Sequence, residues 1–331
     1  MPPGHALFAQ GKTQLVLGGG AMHGLMYIGV LCSLFRTPAA FSAFRADLRT
    51  LAGASMGALL AALLCEWSPW QVWAYAKTEQ FRAIGSQLID QSWLDIPLTR
   101  SLSSGRALDA ALQRGVLDVY GDANISLAAV AARTRKHLVL VVSNISQHRA
   151  EYWSARTQPD MPLWLALRAS VSIPGLFPPV AWQHDEYVDG GLMCNVPCHL
   201  FPPQSTLVML VHTTARPAAA TTPMYATRLW EGFMGAAQLG SLRAVPAYVT
   251  SCIPCIPTPD TPDAYAFGAP DAVVDAIVHQ GCRSLGVLLL TAYLLLGFVI
   301  KSNVQGTSCS GSTSKRPVRA SRCTSVTAAS V

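Results

Sequence analysis

Residues 48–64 read LRTLAGASMGALLAALL. Residues 48–51 suit a short strand, and they run into Gly53. Gly53 and Gly57 flank Ser55 at two residues on either side. That spacing fits a tight strand-to-helix turn which lifts a serine hydroxyl above a sheet edge, where side chains at the glycine positions would clash. Residues 58–64 are apolar on every side, as expected of a helix buried inside the fold. Strand, tight turn and buried helix in this order make one α/β unit, although a small-residue turn with no chemistry has the same local pattern.

The same alternation recurs on both sides. Gln14–Leu17 is a short apolar run ending in glycines, followed by a helix-compatible pattern over 25–35. Helical patterns at 105–114 and 126–133 precede two Val- and Leu-rich runs, 137–142 and 206–211, that read as central strands. Strands that alternate with helices predict an α/β sandwich around a largely parallel sheet.

Three segments carry chemistry. A serine hydroxyl is a weak nucleophile until a base takes its proton. Ser55 is the candidate nucleophile, with Gly53 and Gly57 shaping its elbow. Residues 18–24, Gly-Gly-Gly-Ala-Met-His-Gly, follow a strand and open a helix, so their backbone N–H groups can converge on an anion. This turn lacks the Gly-Lys-Ser/Thr ending of a phosphate loop, and no frame of it fits GxGxxG. The third segment is Asp189-Gly190-Gly191, a strand end entering a glycine turn. A buried Asp189 beside Ser55 could take its proton directly if desolvation raises its basicity. A Ser-His-Asp triad would instead draw on His199 or His212.

These residues resemble the patatin-like phospholipases. The resemblance rests on Leu15-Val-Leu-Gly-Gly-Gly-Ala-Met-His-Gly24, on Gly53-Ala-Ser-Met-Gly57, on residues 169–180 (ASVSIPGLFPPV), and on Tyr187-Val-Asp-Gly-Gly-Leu192 with Asn195-Val-Pro197. The four blocks keep the family's order across 14–213. The resemblance implies a three-layer α/β/α sandwich and hydrolysis of lipid acyl esters by a Ser-Asp dyad, with no metal and no cofactor. Ser55 then corresponds to the nucleophile and Asp189 to the base. Gly19, Gly20, Ala21, Met22, His23 and Gly24 correspond to the oxyanion turn, and residues 170–179 to a structural segment packed beside the dyad. The family's turn is usually Gly-Gly-Gly-x-Arg/Lys-Gly; here Ala21 stands at the third glycine and His23 at the basic position. Ala21 keeps its N–H, while His23 brings less fixed positive charge than Arg or Lys.

Composition places this chemistry near lipid. Half of the residues (51%) are apolar and only 13% charged, a balance that directs the search to a membrane-facing segment. Residues 285–300, LGVLLLTAYLLLGFVI, form an unbroken apolar run. With Ser284 they make a candidate transmembrane or membrane-interfacial helix, at the short end of a span. Beyond it lies a basic, Ser/Thr-rich tail, 301–331, which reads as disordered. The tail's five Lys and Arg residues, with no acid among them, account for five of the six net positive charges of the chain. No global basic field suggests nucleic acid.

The expected organisation is therefore an N-terminal extension (1–13), a catalytic domain (14–213), a Pro-rich irregular region (214–280), the apolar helix (284–300) and the tail. The expected partners are an acyl-lipid substrate and a membrane surface, with the catalytic domain in the cytosol; nothing in the chain sets an oligomeric state. Nine irregularly spaced cysteines read as mostly reduced, and Cys252-Ile-Pro-Cys255 as a CxxC without a second pair rather than a zinc site. Trp67, Trp70 and Trp73 behind the elbow helix are either core or an interfacial aromatic surface. Three other outcomes share these residues: a triacylglycerol lipase or an acyltransferase on the same dyad, or a membrane scaffold with a decayed site.

Overall fold

In the computed structural model, residues 9–86, 90–91, 100–211, 252–255 and 270–284 are described. All of them fall in the first of two compact units, Met1–Leu289. The organising element is a mixed sheet of eight strands in the order β5-β6-β3-β2-β1-β7-β8, with β4 paired to β3. The strands are β1 (Gln14–Leu17), β2 (Thr50–Ala54), β3 (His137–Asn144), β4 (Arg149–Trp153), β5 (Val180–Trp182), β6 (Asp185–Asp189), β7 (Thr206–Val211) and β8 (Cys252–Cys255). From β3 through β2, β1 and β7 to β8 every pairing is parallel; β4, β5 and β6 are antiparallel additions.

The parallel strands are buried throughout, with β2 and β7 covered at every residue. Their side chains alternate between two clusters, as the two-residue period of a strand requires. Leu15, Leu17, Leu51, Leu138 and Leu140 enter the main core. Val16, Ala52, Val139, Val208 and Leu210 enter a smaller one closed by Val196 and Cys198, the latter on a 3₁₀ turn at Pro197–Leu200.

The helices are α1 (Met26–Phe35), α2 (Pro38–Asp47), α3 (Met56–Glu66), α4 (Pro69–Tyr75), α5 (Glu79–Ser86), α6 (Arg106–Tyr120), α7 (Leu127–Thr134) and α8 (Leu163–Ser170), then α9 over 271–284. Several begin with strong local signals. Thr37 caps α2 ahead of Pro38, and Ser68 with Gln71 forms a reciprocal capping box on α4. The sheet flanked by helices is the α/β architecture that the alternation of elements predicts.

Two elements lie where the sequence reads as irregular. Cys252–Cys255 is a strand pairing with β7 at the end of the described sheet, where Pro254 can lack an N–H. The helix α9 packs on α1 through glycines: a Cβ on Gly29 would stand 1.8 Å from the Val278 carbonyl oxygen, and one on Gly281 would stand 1.9 Å from that of Met26. Trp73 and Lys77 both reach Asp275 of α9, at 2.7 and 3.0 Å. The second strand is also displaced, from 48–51 to Thr50–Ala54, because residues up to Asp47 continue α2 and Leu48 caps it. The expected apolar helix 284–300 and the tail lie outside the described residues, apart from Ser284, the last residue of α9. Among the described residues no single helix is long and apolar enough to cross a membrane.

Candidate active site

Sheet register brings the site together. β2 runs parallel to β3 and ends with Ala54 opposite Val141. β6 runs antiparallel to β3 and ends with Asp189 opposite Val142. The two strands approach each other along β3 and stop at adjacent residues of it. Ser55 and Asp189, 134 residues apart in sequence, therefore meet: the Ser55 hydroxyl donates to Asp189 Oδ2 at 2.6 Å.

The turn that carries Ser55 is strained. Ser55 has φ 52° and ψ −129°, a conformation that L-residues rarely adopt. Its surroundings hold it there. A Cβ on Gly53 would lie 2.3 Å from the Gly57 backbone, and a Cβ on Gly57 would lie 2.2 Å from the Leu17 carbonyl oxygen. Both glycines are thus required by contact, and Gly57 seats α3 against the end of β1. The Ser55 N–H donates to the Ser170 hydroxyl at 3.2 Å, and that hydroxyl donates to the Val141 carbonyl at 2.6 Å.

Asp189 is fully buried. Its Oδ1 accepts the Gly191 N–H at 2.8 Å, and its own N–H donates to the Ser172 carbonyl at 2.8 Å. Burial pushes its carboxyl up to about 7, against the opposing pull of the bonds from Ser55 and Gly191. Gly190 is required here too, since a Cβ would lie 2.2 Å from the Val141 carbonyl oxygen.

The glycine turn closes the site from the β1 side. Gly18 donates to the Met209 carbonyl at 2.9 Å, and its own carbonyl accepts the Tyr27 hydroxyl at 3.0 Å. The Gly19 N–H is committed to Asn195, at 3.0 Å from Oδ1 and 3.2 Å from the backbone oxygen. Among the described residues, Gly20 and Ala21 are therefore the first positions of the turn whose N–H groups can serve an incoming oxyanion, since the leading N–H groups of a helix have no intrahelical acceptor. Residues Ala21–Leu25 form a short 3₁₀ helix in which Met22, His23 and Gly24 are buried. Ala21 itself takes φ 45°.

Above Ser55 lies an apolar cleft of roughly 520 Å³, its open mouth included. Ala21 and Met56 flank the serine, Leu108 and Leu112 of α6 form one wall, and Val171, Ile173 and Phe177 form the other. Among the described residues no charged side chain lines it.

Several further residues brace the site, and of these only Arg168 lies outside the sequence blocks that carry the resemblance. Ser170 and Ser172 act through backbone groups, and Asn195 anchors Gly19. Arg168 is buried, donates to Asp109 at 2.6 Å and to the Pro178 carbonyl at 3.3 Å, and also bonds Ser172; it ties the 172–178 wall to α6. The triad alternative finds no support at His199, whose Nε2 lies 3.0 Å from the Tyr152 hydroxyl; His212 lies outside the described residues. Among the described residues no cluster of His, Cys, Asp or Glu could hold a metal.

A family model, Patatin-like phospholipase, matches residues 15–202. An uncharacterized protein of Acanthamoeba polyphaga mimivirus is 26% identical over 194 residues, which cover 56% of this chain and 60% of that protein. Triacylglycerol lipase 4 of Saccharomyces cerevisiae is 29% identical over 186 residues, 51% of this chain and 18% of the lipase. The match therefore spans less than two thirds of either relative. Among solved structures, VipD from Legionella pneumophila superimposes with a TM-score of 0.49 at 17% identity, covering 85% of this chain and 67% of that one.

Proposed function

This chain belongs to the patatin-like phospholipase family of lipid hydrolases, and from that membership we propose that it cleaves acyl esters of lipids, phospholipids foremost, with Ser55 as nucleophile and Asp189 as base. The observation that carries the reading is the 2.6 Å bond between the hydroxyl of Ser55, which lines an apolar cleft, and a buried carboxylate.

Ser55 Oγ attacks the acyl carbonyl carbon while its proton passes to Asp189. The carbonyl oxygen becomes an oxyanion facing the N–H groups of Gly20 and Ala21, near the N-termini of two helices. Collapse of the tetrahedral intermediate releases the alcohol, which takes the proton from Asp189. Water then attacks the acyl-serine as Asp189 accepts its proton, and collapse expels Ser55 Oγ, which takes that proton back from Asp189 as the fatty acid leaves. An Asp can act here without histidine because burial raises its carboxyl to about 7. The apolar run 285–300 would hold the enzyme at the bilayer where its substrate is concentrated.

A neutral glyceride is the second reading. It is supported by a cleft that offers no charge to a headgroup and by the relative named a triacylglycerol lipase.

The test is fatty-acid release from mixed phospholipid vesicles, with chelator present, by wild type, Ser55→Ala and Asp189→Asn. Release by wild type alone is expected. Release from triacylglycerol emulsions but not from vesicles would move the assignment to the second reading. Release that survives Ser55→Ala would overturn the dyad.

A further inference from the structure

A second, narrow apolar cavity adjoins the cleft. The two share three side chains, Leu59 of α3, Phe81 of α5 and Leu112 of α6. Both cavities follow the same pair of helices. Ser55 caps α3 at its N-terminus, and Leu59 and Leu63 follow at four-residue intervals, so the two leucines stack on one helix face. On α6, Leu108, Leu112 and Val116 do the same. Ser55 and Leu108 line the near cavity, and Leu63 and Val116 line the far one.

We propose that the two cavities form one acyl channel, and that Leu59, Phe81 and Leu112 are a partition which an extended acyl chain crosses to reach the far chamber. The proposal rests on the assignment of Ser55 as nucleophile, because the ester carbonyl must sit at that end. From Ser55 to Leu63 the channel follows eight residues of helix, about 12 Å. That length suits a medium, unbranched chain of about ten carbons and leaves shorter chains on the near side of the partition.

The far chamber is lined by aliphatic and aromatic side chains and, among the described residues, by no charged one. Tyr120 spends its hydroxyl on the Ala62 carbonyl at 2.7 Å, and burial keeps both Tyr120 and Tyr75 neutral. A lipid headgroup would find no ion pair there, whereas each methylene moved in from water would raise kcat/KM by up to about fourfold.

The experiment compares p-nitrophenyl butyrate, octanoate and decanoate. Wild type is expected to show kcat/KM rising from butyrate to decanoate by at least tenfold. Ala111→Phe and Val116→Phe each place a ring in the far chamber only, Ala111 from a partly exposed position. In either variant, once thermal unfolding confirms the fold, the decanoate-to-butyrate ratio should drop at least tenfold. An unchanged ratio in both folded variants overturns the channel, including the case where both esters slow equally.

A second arm needs no turnover: displacement of a fluorescent fatty acid from Ser55→Ala by butyric, octanoic and decanoic acids. Affinity should rise with length and lose that rise in the Ser55→Ala, Ala111→Phe double variant. A binding gradient in a protein that hydrolyses no ester supports the channel and sinks the hydrolase assignment. Ser55-dependent hydrolysis with neither a rate gradient nor a binding gradient does the reverse.

Discussion

The Ser170 hydroxyl clamps Ser55: it accepts the Ser55 N–H at 3.2 Å and donates onward to the Val141 carbonyl at 2.6 Å. The clamp bridges the strained turn to β3, the strand against which both β2 and β6 end. Ser170 is fully buried, so no water stands ready to replace it. Ser170→Ala removes one partner from each of two buried backbone groups. The expected cost is about 1–3 kcal/mol in urea unfolding. The turn should also loosen, so kcat should fall about tenfold with KM little changed. An unaltered kcat would show that the elbow holds Ser55 without the clamp.

Asp189 gives the protein two pH signatures. As a base it must be ionised, so kcat/KM should rise with pH through about 7 and then level off. Stability runs the other way. The folded carboxyl stands near 7 and the unfolded one near 3.8, so between these values the folded state holds a proton that the unfolded state has lost. Stability therefore falls as pH rises from about 4 to about 7 and is flat beyond. Asp189→Asn keeps the neutral form at every pH. It should be inactive, and its stability relative to wild type should be greater at about pH 8 than at about pH 5. Equal differences at both pH values would place the Asp189 carboxyl near its ordinary range.

Gly57 marks the closest approach of α3 to β1. A Cβ there would meet only backbone, with the Leu17 oxygen at 2.2 Å and the Gly18 oxygen at 2.6 Å. Neither can swing aside as a side chain would. Gly57→Ala should cost about 3 kcal/mol and pull Ser55 away from Asp189, abolishing ester hydrolysis. Normal activity in this variant would mean that α3 can retreat from β1 without moving the serine.

What the sequence revealed of the site was turn chemistry. Gly53-Ala-Ser-Met-Gly57 and Asp189-Gly-Gly191 declare themselves because close backbone contacts there exclude side chains. Their meeting could not be read from spacing, since it depends on where β2 and β6 stop along β3. Ser170 and Ser172 lie in the 169–180 block that carries the family resemblance, but the bonds they make could not be read from it, and Arg168, just outside that block, works through groups distant in sequence. The buried strands β1, β3 and β7 were legible as Val- and Leu-rich runs. β4 and β5 were not, since β4 carries charged residues and β5 is only three residues long, while β6 showed only at its end, where Asp189 enters the glycine turn. Prolines in 252–270 hid β8, which tolerates Pro254 at the sheet's end, and the helix over 271–284 went unread behind them, although Val274, Ile277 and Val278 recur at helical spacing and are buried in the main core beside the close approach of Gly29 and Gly281. The capping box at Ser68 and Gln71 was a readable signal for α4.

Ala21 is the sharpest departure from the family's usual turn, and the backbone shows why it matters. Its φ of 45° lies in the region that glycine occupies freely and alanine does not. The chain keeps the conformation of the turn while lacking the residue suited to it. Left-handed backbone costs a non-glycine residue about 1–2 kcal/mol, and glycine adds back roughly 0.5–1 kcal/mol of unfolded-chain entropy. Ala21→Gly should therefore stabilise the fold by up to about 1 kcal/mol. The same substitution frees the Gly20–Ala21 segment to adjust toward an oxyanion, so kcat should hold or rise. Urea unfolding and ester kinetics on the one variant read both effects. A loss of about 1 kcal/mol would mean that the turn imposes no strain on Ala21 and that only the entropy of glycine was felt. A gain in stability with a collapse in kcat would mean that the strain positions the donor N–H groups.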